Sequence, residues 1–396
     1  MLRRSRRFER PDYWILAVVG ILCLIGVLMV FSSSGVDPDD PTYLINRHVQ
    51  WLVVGAVVLL VTMSVPYQRW RRFSVPAIVL AILLLVLVLW GPSFISEEIK
   101  GAKRWLSPGS LPISLQPSEL AKLAFILYLA DWCSAKGDKV RDLSNGLLPF
   151  GIVIGLLSVL VFMEPDMGTT LVVFAIGLVV FFVSGADLRH LGFGLLLAAG
   201  TFAVAAVTAS YRMQRILVFL HPWDDPQGAG FHIVQSQLAI GSGGLMGMGL
   251  GASRQKYGWL PEQSTDAIFS VWGQEVGFLG AALMILLFLV VAWRGYQVAR
   301  TAPDGFSQLL ATGITTWITF QAMLNIGAVT GSVPFTGVPL PFISYGGSSL
   351  VITLAAVGLL LNISKYANAP VTEPAPSRGG KILRLEPRKG LPSEVS

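Results

Sequence analysis

Ten predominantly apolar stretches, at residues 13–31, 49–65, 76–90, 118–132, 147–163, 169–183, 191–207, 268–293, 309–329 and 344–363, dominate this chain. Backbone that crosses hydrocarbon must satisfy its own hydrogen bonds, and segments of this length do so as helices. The expected fold is therefore all-α, a polytopic membrane protein of about ten transmembrane helices. With 53% hydrophobic and only 13% charged residues, a soluble globular domain is excluded. The spacing of the stretches leaves one large polar connection, residues 209–266.

An even number of crossings puts both ends on one side. In that scheme 20 Lys and Arg residues lie on the side of the tails and 8 on the other, so the positive-inside rule places both tails in the cytoplasm. Loops 91–117, 164–168, 209–266 and 330–343 then face outside. The expected organisation is a basic N-terminal tail (1–12), one membrane domain (13–366) with its large outer loop (209–266), and a disordered Pro- and Ser-rich tail (367–396). Further spans follow the first, so it is not read as a cleaved signal peptide. The net charge of +6 is spread over short loops and tails, which fits topology and anionic membrane lipids, not nucleic acid. Two cysteines, Cys23 and Cys133, build no disulfide framework and read as structural. Neither an internal repeat nor a second domain is evident.

Asp266 is the most constrained polar residue. It sits in LPEQSTDAIFSVWGQE, where a polar segment that also carries Glu262 runs into the eighth apolar stretch. A carboxylate at that boundary costs several kcal/mol if pulled into lipid, so it must face water, a partner or a substrate. Glu119 and Lys122 lie inside the fourth stretch with i, i+3 spacing, on one helix face. They either lock helices together as a pair or line a polar cavity. Asp166, in MEPDMGTT, either caps the following helix or serves the site, and Glu164 reads as a solvated interface residue.

Outer loop 91–117 holds Lys100, Lys103 and Arg104 just before Trp105, a basic cluster on the side where such charge is scarce. It points to an anionic partner or to lipid headgroups. Loop 209–266 adds Arg212, Arg215, Arg254 and Lys256, with a glycine-rich run suited to close backbone packing against a ligand or to re-entry into the membrane. Gln235, Gln237 and Ser242 would supply neutral hydrogen bonds there. His221 and His232 stand eleven apart without a carboxylate at ligand spacing, so a histidine metal site is not expected. The uncharged last loop shapes a wall, with Ser348 and Ser349 capping the final helix.

One carboxylate among cations suits displacement of a lipid-linked diphosphate. The nucleophilic hydroxyl needs one general base, and the leaving group needs positive charge instead of a general acid. A glycosidase would need two carboxylates.

Taken together, QPSELAKL, EPDMGTT, HPWDDPQGAGFHIVQSQLAIGSGG, LPEQSTDAIF and PLPFISYGGSSL resemble the SEDS family of cell-wall polymerases (shape, elongation, division and sporulation), in family order over nearly all ten stretches. GASRQKYGWLPE and LRHLGF resemble its division branch, FtsW, more than its elongation branch, RodA. The resemblance implies a peptidoglycan glycosyltransferase that polymerises lipid II outside the cytoplasmic membrane beside a class B penicillin-binding transpeptidase and other divisome proteins. It implies that Asp266 is the catalytic aspartate and that Glu119, Lys122, Asp166, Arg104 and Trp105 are cavity positions. Ser264 and Ala267 stand where the family commonly has His and Phe, and Gln274 where it has Glu. Stabilisation of the departing diphosphate would fall to Lys103, Arg104, Arg254 or a divalent cation, Mg²⁺ or Mn²⁺. Two alternatives carry different expectations: a lipid II transporter, for which Glu119 and Lys122 would mark the path, and a silent scaffold that recruits a transpeptidase.

Overall fold

A computed structural model describes residues 10–34, 42–92, 96–99, 102–107, 114–190, 192–196, 200 and 210–367. The chain is predominantly helical, and nine of the ten apolar stretches form helices within the described residues. The tenth, 191–207, lies largely outside them. The helices are α1 (Tyr13–Ser34), α2 (Tyr43–Ser64), α3 (Ser74–Trp90, preceded by a helical turn at Tyr67–Trp70), α4 (Pro117–Lys136), α5 (Leu148–Met163) and α6 (Met167–Val183). They continue with α7 (Ser210–Leu220), α8 (Phe231–Ser242), α9 (Ile268–Arg300), α10 (Gly305–Thr330) and α11 (Gly347–Ala367). Several outrun the apolar limits, α9 by a further seven residues at its C-terminus. Hydropathy marks where lipid ends, whereas hydrogen bonding carries the helix on through its polar residues.

Among the described residues, seven helices are long and apolar enough to cross a membrane. Their outward faces carry Leu24, Phe31, Leu83, Ile152 and Leu289, all exposed. An apolar exterior of this kind is a surface for lipid. The middle of the bundle is more polar than its rim. Along α10 the buried residues include Thr312, Thr315, Thr316, Gln321 and Asn325. Small residues permit close approach: a Cβ at Gly358 of α11 would stand 2.0 Å from the Thr62 hydroxyl of α2.

The end of the bundle where α1 starts and α11 stops is fastened by charge. Asp12 accepts from the backbone N–H of Trp14 at 3.0 Å and pairs with Arg294 at the end of α9 at 2.6 Å. Its own N–H donates to Ser364 of α11. The Tyr67 hydroxyl donates to Asp304, which also closes a capping box with Ser307 at the start of α10, and Arg71 pairs with Asp131 of α4 at 2.6 Å. Both cysteines are buried and free.

Two departures from the all-helical reading matter at the other end. Residues Ser96–Ile99 (β1) and Ala102–Leu106 (β2) form an antiparallel hairpin, pinned to α3 by the Ser96 hydroxyl on the Val88 carbonyl at 2.7 Å. The 209–266 connection contains α7 and α8, and its glycine-rich part is folded against α9.

Candidate functional site

Asp266 belongs to a tight turn that ends at the first residue of α9. The turn closes with the N–H groups of Thr265 and Ala267 both donating to the Glu262 carbonyl at 3.1 Å. Glu262 takes a left-handed conformation (φ 52°), and its carboxylate accepts from the Thr265 hydroxyl at 3.0 Å. Three successive carbonyls of the turn are then held from outside. Ser264 accepts from the Tyr345 N–H at 2.8 Å, Thr265 from the Ser344 hydroxyl at 2.6 Å, and Asp266 from the Asn325 amide at 2.9 Å. The second N–H of the same amide reaches the Val338 carbonyl at 2.7 Å. The half-buried Asp266 is thus mounted on α10 and the 332–346 loop as well as on its own helix. At Gly337 (φ 69°) a Cβ would lie 3.4 Å from the Asp266 carboxylate, so that loop runs directly beside the acid.

Behind the loop stands the Glu119–Lys122 pair. Lys122 donates to Glu119 at 2.8 Å and to the Gln321 side-chain oxygen at 2.7 Å, and it lies 4.9 Å from the Trp317 ring centroid. Gln321 passes the link on to the Pro339 carbonyl at 2.9 Å, while the Ser349 hydroxyl donates to the second Glu119 oxygen at 3.0 Å. Glu119 and Lys122 are both 0% exposed. Of the two readings the sequence allows, the structure shows the locked pair, and these residues brace the wall on which Asp266 rests. Ser348 and Ser349 do not cap the last helix, since Ser348 accepts from the Gln116 N–H at 3.3 Å and Ser349 serves Glu119.

The third component is the turn 164–168. Asp166 caps α6, accepting from the N–H and the hydroxyl of Thr169 at 2.9 and 2.8 Å. Arg104 on β2 clamps the turn, donating to the Glu164 carbonyl at 2.8 Å and to the Pro165 carbonyl at 2.6 Å. Strand alternation sends Lys103 and Trp105 to the opposite face of the hairpin. Gly168 packs on the loop beside Asp266, where a Cβ would meet Val338 at 2.0 Å and the Thr336 carbonyl at 2.8 Å. Glu164 is fully buried, and neither carboxyl oxygen has a hydrogen-bond partner among the described residues, which overturns its reading as a solvated residue. Burial raises its pKa to about 9, Asp166 adds to the rise and Arg104 opposes it. Glu164 is therefore a protonated acid at neutral pH.

The glycine-rich run does pack tightly, as its composition suggests, but against protein backbone. At Gly277 (φ 75°, ψ −170°) α9 breaks, and the stretch 244–249 takes over its main-chain hydrogen bonds. Phe278 N–H donates to Gly244 and Leu279 N–H to Leu245, at 2.8 and 3.2 Å. Met248 and Gly249 N–H groups donate to Gln274 and Glu275, each at 3.0 Å. The turn is secured by a buried pair that the sequence reading missed, Lys256 with Glu275 at 3.3 Å. Lys256 also donates to Ser32 of α1 at 3.0 Å and to the Gly251 carbonyl at 2.7 Å. A charged residue inside an apolar helix was the available signal, because Glu275 needed a cation.

The remaining expected residues are dispersed. Ser242 accepts from Gln274 at 2.9 Å, so it is a structural hydroxyl. Gln237 reaches the Thr330 carbonyl at 3.5 Å, and Gln235 is half-buried on α8. Arg254 is exposed, and Arg212 lies on α7 with its side chain outside the described residues.

A helical bundle with a lipid-facing exterior, its polar residues gathered toward the middle, defines a class: a polytopic membrane protein. Residues 13–369 match the family model FtsW/RodA/SpoVE, described as cell cycle protein, and the chain belongs to that family. It is 41% identical over 363 residues to stage V sporulation protein E of Bacillus subtilis, covering 90% of this chain and 98% of that one. It is 42% identical over 380 residues to a probable peptidoglycan glycosyltransferase FtsW of Trichlorobacter lovleyi, covering 94% and 98%. Among solved structures it superposes with TM-score 0.75 and 30% identity on a chain of a peptidoglycan synthase complex studied for its coordination of polymerization and crosslinking, covering 90% of this chain and 98% of that one.

Proposed function

We propose that the protein is a peptidoglycan glycosyltransferase that joins lipid II units into glycan strands. The observation that carries this reading is the Asp266 mount: a carboxylate fixed through three carbonyls and bordered by the 332–339 loop. A general base must hold its geometry while a proton moves, and a rigid mount does this. Asp266 takes the proton from the acceptor's C4 hydroxyl, which attacks the anomeric carbon of the donor and expels the polyprenyl diphosphate with inversion. Arg104, held by the 164–168 turn, keeps its positive charge near the reacting end, with Arg254 on the exposed loop as a further cation for the leaving group, whereas Lys103 faces away from Arg104 on the same strand.

No group of three or more His, Cys, Asp or Glu side chains comes together among the described residues. The residues fit Mg²⁺ or Mn²⁺ in one way: the diphosphate would supply most ligands, with Asp266 or Glu262 contributing a carboxylate. Such an ion would neutralise charge on the departing diphosphate.

The reading extends to topology and partners. Ten crossings place both termini in the cytoplasm and the Asp266 end outside, with 209–266 as the large outer loop. The common location of the α1 start and the α11 end supports this. The partner proposed is a class B penicillin-binding transpeptidase, supported by the likeness to a chain of a peptidoglycan synthase complex. Relatives named FtsW support a division setting with other divisome proteins. Asp266→Asn in purified protein given lipid II is expected to lower polymerisation by about 10²–10⁴-fold, the usual contribution of a general base. Polymer formed at the native rate would overturn the assignment. Flipping of lipid II without polymer in vesicles would favour a transporter, a path that the sealed Glu119–Lys122 pair does not offer.

A further inference from the structure

The loop beside Asp266 faces two ways. Thr336 and Val338 meet Gly168 of the Arg104-clamped turn, whereas the Phe335 ring lies 4.1 Å from the His232 ring of α8, inclined at 46°. On the Phe335 side opens a cleft of about 320 Å³ lined by Gln214, Arg215 and Val218 of α7, His232 and Ile233 of α8, and Phe335. No acidic side chain lines it. The His232 ring forms no well-made hydrogen bond among the described residues, and burial lowers its pKa to about 4, so it is neutral.

We infer that this cleft is the subsite for the N-acetylated sugar ring of the acceptor. The inference rests on the glycosyl-transfer reading above and deepens it. Three considerations place the acceptor here. The volume lies near the small end of ligand sites, about 300–1,000 Å³, which suits one sugar ring and not a peptide-bearing disaccharide. The lining supplies what a neutral sugar needs: an aromatic face for its C–H surface, an amide that both donates and accepts, and an uncharged imidazole. The third is direction. Inversion requires the incoming hydroxyl and the leaving group to lie on opposite faces of the donor sugar. Arg104, assigned above to the diphosphate, is clamped on one side of the loop, so the acceptor comes from the other, where the cleft's own cation, Arg215, would serve as a donor to sugar oxygens. Phe335 is two residues from Gly337, and two residues of extended chain reach about 7 Å, so a sugar on Phe335 lies on the same short loop that borders the Asp266 carboxylate.

The test uses purified full-length protein in detergent or vesicles. A preformed lipid-linked glycan oligomer is supplied at saturation as donor, lipid II is titrated as acceptor, and single additions are counted. Phe335→Ala is expected to raise the half-saturating lipid II concentration about tenfold while the maximal rate stays within about threefold. Phe335→Tyr, which keeps the aromatic face, is expected to behave as the native protein. Gln214 is exposed, so Gln214→Ala leaves folding intact, and it is expected to shift half-saturation in the same direction by a few-fold. Native half-saturation in both Phe335→Ala and Gln214→Ala overturns the subsite, as does an equal shift when the donor oligomer is titrated instead. If Asp266→Asn is inactive while both cleft variants saturate normally, only the subsite fails. If Asp266→Asn polymerises normally, the transferase reading fails with it.

Discussion

Among the described residues are two buried lysine–glutamate pairs that differ in kind. Glu119 and Lys122 are three residues apart on one helix, sealed at 0% exposure, and tied through Gln321 to the loop beside Asp266. Lys256 and Glu275 are nineteen residues apart and draw together a glycine-rich turn, the broken helix α9 and Ser32 of α1. The first pair stiffens a helix-to-loop contact inside the bundle. The second fixes a segment with little regular structure of its own. Charge buried in this way does not by itself show net stabilisation, but removing one partner strands the other in low dielectric.

The comparison is most easily broken at the lysines. Lys122→Met and Lys256→Met are each expected to cost about 3–5 kcal/mol, measured as loss of thermal stability in detergent, since each leaves an uncompensated carboxylate. The double variants differ. Lys122→Met with Glu119→Gln should recover most of the loss, because the helices still pack. Lys256→Met with Glu275→Gln should recover less, because the Gly251 carbonyl and the Ser32 hydroxyl lose their donor. Equal recovery would show that the two pairs do the same job. Next in size, Gly277→Ala enters a backbone region open essentially to glycine alone, with a Cβ 2.3 Å from the Gly247 nitrogen. A loss of about 1–3 kcal/mol or more is expected, with protease cleavage appearing in 244–251 before it appears in the bundle.

A separate, pH-dependent effect concerns Glu164, a buried acid with no cation bound to its side chain among the described residues. Its pKa is raised from 4.5 to about 9 in the fold, so its contribution is complete below about pH 4.5 and declines as pH rises toward 9. Glu164→Gln is expected to remove that decline while leaving stability at low pH nearly unchanged. A native-like fall in Tm between pH 5 and 9 in the variant would refute the assignment.

Much of this was legible in the sequence. The apolar stretches gave the bundle, the junction at Asp266 gave a carboxylate at the head of a helix, and the i, i+3 spacing of Glu119 and Lys122 gave their contact. What escaped was set by distance along the chain. Nothing local links Lys256 to Glu275, or Ser348 to the Gln116 N–H, because these meetings depend on how helices are arranged side by side. Glu164 looked solvated because a turn between two spans usually is. Here the hairpin β1–β2 lies over it, and Arg104 uses its donors on the turn's carbonyls instead of on the acid. The hairpin itself left little trace, since strands of four and five residues show too few alternations to stand out from a loop.

Helix α9 is 33 residues long but mechanically two pieces. The glycine turn is bonded to both: its 248–249 N–H groups to the piece before Gly277, its 244–245 carbonyls to the piece after it. Movement of that turn would therefore be felt on both sides of the break, while the far end of the helix is anchored through Arg294 and Asp12. A single glycine lets the loop act as a splice within one helix.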